Sequence, residues 1–208
     1  MRSLMVVVVL AAMEGVAQAQ GEAPAVMAPI SADPTAHRHL GFFLRVDLAP
    51  DYLHTSASQG GSSVALSGVG ASVGVVLGAA ISEDWIIGGD VWGVSAFSPS
   101  ASNGASLGDQ TLSLSGIGLN VTHYFMPENV YVSFSPSLVS LSLGNDQGSG
   151  STNIGFGARL LVGKEWWVGN HWGLGLAGEA IFGVNSDQGG GPTWVTFGGA
   201  VLFTATYN

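Results

Sequence analysis

The sequence predicts an all-β chain: eight antiparallel strands closed into an up-and-down β-barrel that crosses a membrane. Three observations carry this reading. Charged residues make up only 9% of the chain, against roughly 25% in soluble domains, so a soluble fold would have little to keep its surface wetted. From about His39 onward, apolar and polar residues alternate with period two, the signature of strands with unlike faces. The connections between these runs alternate short and long, as tight turns and external loops do in outer-membrane barrels.

Composition narrows the function classes. The apolar fraction, 47%, is ordinary, but glycine is not: 32 of 208 residues is about twice the usual share. The net charge is −9, from 14 acidic and 5 basic residues. So few cations make nucleic acid an unsuitable partner, because phosphate binding works by displacing counterions with Lys and Arg. Cysteine is absent, which excludes disulfides, thiolate metal sites and a lipoprotein anchor.

The N-terminus reads as an export signal. Arg2 supplies the positive start, Leu4 to Ala12 the apolar stretch, and Ala17-Gln18-Ala19 the cleavage site, so residues 1–19 form a signal peptide and Gln20 starts the mature chain. The apolar stretch is about half of what a spanning helix needs. Residues 20–38, with Pro24, Pro29 and Pro34 among small residues, read as a flexible periplasmic lead-in. Residues 39–208 are the barrel.

The first strand runs to about His54, with Phe42, Leu44, Val46, Leu48 and Tyr52 on one face and Arg45, Asp47, Ala49 and Asp51 on the other. In a membrane barrel the apolar face meets lipid and the charged face lines the interior. The second, Ser63 to Ile81, sets Val69, Val73, Val75 and Leu77 against Gly68, Gly70, Ser72, Gly74 and Gly78. The third, Trp85 to Phe97, points Asp90 inward. The fourth, Gln110 to Phe125, changes phase between Leu112-Leu114 and Ile117-Leu119-Val121, which a bulge near Ser115-Gly116 would reconcile. The fifth, Val130 to Leu143, changes phase at Pro136, another expected bulge. The sixth, Asn153 to Trp167, faces Arg159 and Glu165 inward. The seventh, Trp172 to Val184, does the same with Glu179, and the eighth ends the chain with Thr196, Thr204 and Thr206 inward.

Ser82-Glu83-Asp84, Met126 to Asn129 and Val168 to Asn170 are the short connections. Thr55 to Ser62, Ser98 to Asp109, Gly144 to Thr152 and Asn185 to Gly191 are the long ones. With eight strands this puts both chain ends in the periplasm. Trp85, Tyr124, Phe125, Trp166, Trp167, Trp172 and Tyr207 gather near the short turns and read as an aromatic girdle at the membrane interface.

On these features the chain from Leu40 to Asn208 resembles the small outer-membrane β-barrels of the OmpA, OmpX and OmpW type. The resemblance implies outer-membrane lipids and the barrel assembly machinery as partners. It departs at the end, where such families close on an aromatic residue and this sequence has Tyr207 followed by Asn208.

The inward charges Arg45, Asp47, Asp51, Asp90, Arg159, Glu165 and Glu179 are the candidate site residues. Eight strands enclose a space that side chains can fill, and buried charges there must pair. The set reads first as a structural ion-pair plug, with Arg45 and Arg159 against the acids, and second as a narrow polar path or gate. Acid–base catalysis ranks last, because no nucleophile accompanies the carboxylates. The histidines are scattered, no cofactor motif is present, and Gly68-x-Gly70-x-x-x-Gly74 misses phosphate-loop spacing. Asp109-Gln110, Asp146-Gln147 and Asp187-Gln188 repeat in three loops as turn chemistry or as a weak external cation site. The expected function is a structural or surface-interaction barrel without a wide pore. The alternatives are a narrow channel or binder for small solutes or hydrophobic ligands and, last, an enzyme. The external ligand is not identified by the sequence.

Overall fold

The computed structural model describes residues 37–208. The signal peptide expected over residues 1–19, and the lead-in expected from residue 20 as far as residue 36, fall outside the described residues. The strands are β1 (Gly41–Gln59), β2 (Ser62–Ala80), β3 (Trp85–Phe97), β4 (Ser100–Ala101), β5 (Thr111–Phe125), β6 (Val130–Asn145), β7 (Gly148–Ser151), β8 (Gly155–Trp167), β9 (Trp172–Ser186) and β10 (Thr193–Tyr207). β4 and β7 are short ribbons beside β2 and β6. The other eight pair antiparallel with their neighbours, and β1 pairs with both β2 and β10, so the sheet closes.

The closure is staggered. From Arg45, successive ladder partners are Val76, Asp90, Gly118, Ser137, Gly157, Gly183 and Thr196, and the row returns to β1 at Thr55, ten residues beyond its start. Such a stagger tilts the strands by about 35–45° and fixes a lumen just wide enough for side chains. Outside, Leu48, Val69, Val73, Leu77, Leu119, Phe156, Val201 and Phe203 are exposed apolar residues on consecutive faces, far more than a soluble surface carries. Lipid is the solvent that makes this face stable.

Four expectations are corrected. The first concerns bulges. Between β5 and β6 the register is the same on both sides of the gap that separates Gly118–Ser137 from Val121–Phe134, and the β3–β5 and β6–β8 ladders run unbroken. No residue is inserted at Ser115-Gly116 or at Pro136. Instead Leu112, Leu114, Val139 and Leu141 point into the lumen and are buried. The phase change therefore marks where the lumen itself turns from polar to apolar.

The second correction is the loop expected over Thr55 to Ser62. β1 and β2 pair as far as Gln59 and Ser62, joined only by Gly60 and Gly61, both with positive φ (60° and 84°). Two residues with positive φ make the tight turn whose twist matches a hairpin, a conformation that glycine alone adopts freely.

The third is the girdle. Trp85, Phe125, Trp166 and Trp172 face outward near the short turns, and Tyr207 stands edge-on to Trp172. Tyr124, however, is fully buried inside, and Trp167 lies against His37 and His39. The fourth concerns residues 37 and 38 of the expected flexible lead-in. Both are held by contacts at the turn end of the barrel.

Candidate functional site

The lumen is built in three layers, each supplied by inward positions of the alternating strands. At the turn end lie Phe43, Ile86, Tyr124, Tyr131, Leu161 and Leu202, all fully buried. At the loop end lie Leu53, Leu66, Trp92, Val94, Leu112, Leu114, Val139, Leu141 and Ile181. The charged residues stand between and among these packed groups.

Arg159 on β8 is the centre of the charged layer. Its Nε donates to Glu179 Oε1 at 2.6 Å, its Nη1 to Asp47 Oδ2 at 3.3 Å and to Asp90 Oδ1 at 3.5 Å, and its Nη2 to Asp47 Oδ1. One planar guanidinium thus holds carboxylates from β1, β3 and β9, a geometry that its fixed fork of donors permits and a Lys would not. None of these side chains has any exposure. The carboxylates are further tied by hydroxyls: Ser135 Oγ donates to Asp90 Oδ2 at 2.7 Å, and Ser72 Oγ to Glu179 Oε2 at 2.8 Å. Gly74 faces this cluster, and a Cβ there would collide with Arg159 Nη1 and Asp47 Oδ1. The glycine makes room for the guanidinium.

Arg45 behaves differently. The sequence sets it against the acids, yet it makes no ion pair among the described residues. Its Nη2 donates to Ser133 Oγ at 2.8 Å and its guanidinium lies 4.9 Å from the centre of the Tyr131 ring, while Nε and Nη1 have no hydrogen-bond partner. The cause is local. The nearest inward carboxylate on its own strand, Asp47, is committed to Arg159, and Glu165 accepts instead from Thr206 at 2.6 Å and Tyr124 at 3.2 Å. The aromatic ring face takes the place of an anion. Asp51, also on β1, is buried with neither oxygen bonded.

Of the seven charged residues singled out in the sequence, the structure joins Arg159, Asp47, Asp90 and Glu179 and leaves Arg45, Asp51 and Glu165 outside that cluster. The hydroxyl and amide partners Ser72, Asn120, Ser133, Ser135 and Thr206 were not foreseen as a network. Their signal was present, because each sits at the inward parity of its strand. Two of the three Asp-Gln loops come together, with Asp109 and Asp146 lining one recess, while Asp187 lines another. That second recess, about 240 Å³, opens at the loop end and is lined mainly by Leu66, Leu112, Leu141, Leu143 and Trp194.

Among solved structures, the Neisserial surface protein A, NspA, superposes with a TM-score of 0.56 at 17% identity, covering 80% of this chain and 96% of that one. The fold is that of the small outer-membrane barrels. Two more distant matches are the outer membrane protein AlkL (TM-score 0.45, 14% identity, 91% of this chain and 96% of that one) and Ail, the attachment invasion locus protein of Yersinia pestis (TM-score 0.39, 9% identity, 81% and 99%). No protein-family model matches the sequence. No curated protein matches it either.

Proposed function

We propose that this chain is a closed outer-membrane barrel without a wide, constitutive pore, whose work is done at the surface its loop end presents. The observation that supports this is the filled lumen: a central guanidinium bonded to three carboxylates, with buried apolar layers on either side. An ion crossing the barrel must pass every layer, and one closed layer stops it. In this reading the short turns and both barrel ends of the chain face the periplasm, as in barrels with short periplasmic turns and longer external loops. Outer-membrane lipids and the assembly machinery are the partners. No catalytic role is assigned to the buried carboxylates: Asp47, Asp90 and Glu179 are engaged with Arg159, Glu165 with Thr206 and Tyr124, and Asp51 has no side-chain partner.

Protein purified from the outer-membrane fraction should begin at Gln20 and, in planar bilayers, show no large stable conductance. Recovery from the cytosol with Met1 retained, or porin-like steps, would overturn the reading. Rare small events would instead favour a gated polar path along the charged layer.

The loop-end recess favours a second reading, binding of a small apolar ligand between Leu66, Leu112, Leu141 and Trp194. Saturable uptake of an apolar fluorophore that Leu141→Asp abolishes is the expected result if it holds, since a carboxylate in an apolar recess is costly to desolvate. Non-saturating uptake, equal in the variant, would dismiss it.

A further inference from the structure

We infer that residues 37–39 form a strap that seals the turn-end mouth of the barrel, with the His39 ring as its plug. Three consecutive residues reach three different connections. The His37 amide donates to Asn170 O at 3.1 Å, in the turn between β8 and β9. Arg38 Nη1 pairs with Glu83 Oε1 at 3.0 Å, in the turn between β2 and β3. His39 bonds to Asn129 Oδ1 at 2.9 Å, in the turn between β5 and β6, and to Asn208 Oδ1 at 2.8 Å, just beyond β10. Every connection at that end of the barrel is thereby tied to the segment that enters β1.

The middle of the strap is the tightest part. His39 has no exposure, and its ring stacks on Tyr124 with centroids 3.8 Å apart. Trp167 closes in from the side at 5.2 Å. Beneath, Tyr124 Oη donates to Glu165, so the plug rests directly on the polar floor of the mouth. Both ring nitrogens are engaged, Nε2 with the Asn129 carboxamide and Nδ1 with that of Asn208, a two-point contact that needs a nitrogen at each position of the ring. The slot thus matches an imidazole in shape and in hydrogen bonding, which neither Ala nor Phe satisfies. Asn208, the departure from an aromatic ending, finds its place here as one wall of the slot.

The chain has no cysteine, so one introduced thiol reports on the seal. Gly173, buried at the turn end of β9, suits this: a Cβ there meets Glu165 at ordinary contact distance, 3.4 Å. In Gly173→Cys, refolded in detergent, a charged thiosulfonate should react slowly. Adding His39→Ala should raise the rate by about tenfold or more, because two hydrogen bonds and a ring stack are lost together. Asn129→Ala should raise it less, and free imidazole should slow the His39→Ala protein again while leaving Asn129→Ala unchanged. Fast reaction in Gly173→Cys alone, or an unchanged rate in both double variants with the β-sheet circular dichroism intact, would overturn the inference. If His39→Ala does not refold, Asn129→Ala with the strap intact decides it on rate alone.

Discussion

Replacing Arg159 with Met should destabilise the barrel by about 3–5 kcal/mol, because it leaves buried carboxylates without their counter-charge. Asp47, Asp90 and Glu179 all lose a charge-assisted hydrogen bond in this one change. Ser135 and Ser72 still donate to two of them, but a hydroxyl offsets only part of a buried negative charge. Met keeps the apolar stem and leaves the space of the guanidinium empty, so a cavity contribution adds to the electrostatic loss. Urea unfolding in lipid vesicles measures it, and a midpoint equal to that of the unaltered protein would show that these carboxylates do not depend on the guanidinium.

Trp92→Ala is expected to cost about 3–5 kcal/mol by a different route, the loss of a large packed side chain. The ring is 3% exposed. It occupies the notch left by Gly116 on β5, where a Cβ would collide with it. Its Nε1 donates to Ser137 Oγ at 3.0 Å. The ring therefore spans three strands at the boundary between the charged layer and the loop-end apolar layer. The same vesicle experiment reads the loss, and Trp92→Phe separates its parts: it keeps most of the packing and drops the hydrogen bond. Equal losses for Ala and Phe would mean that packing against Gly116 is not what the ring contributes.

The eight strands were legible because each carries a period of two, and the inward parity of Arg45, Asp90, Arg159 and Glu179 followed from it. What alternation cannot say is which face is the lumen once the lumen is apolar. Leu112 and Leu114 are in the opposite phase to Ile117 and Leu119 along one regular strand, and on the premise of a polar interior this reads as a bulge. Val139 and Leu141 mislead for the same reason after Pro136. The first hairpin was hidden by its composition: Thr55 to Ser58 are small and three of the four are polar, as loop residues are, although Gly60-Gly61 is a turn signal in its own right. The ion cluster was legible only as a set. That Arg159 takes three acids while Arg45 takes a tyrosine ring depends on the stagger of the barrel, which places strands distant in sequence at one height.

That stagger has a kinetic side. The partners of Arg159 lie 112, 69 and 20 residues away along the chain, and the farthest, Asp47, is on the strand that meets β10 to complete the ring. An open sheet can pair Arg159 with Glu179 on the adjacent strand but cannot bring Asp47 to it, so the Asp47 part of the cluster's energy enters when the ring closes. Interactions absent until then hold back unfolding without speeding folding. The guanidinium therefore acts as a latch on the finished barrel, setting how long it stays shut in the membrane more than how fast it arrives there. In the Arg159→Met unfolding experiment this appears as a faster unfolding limb beside a folding limb that changes less.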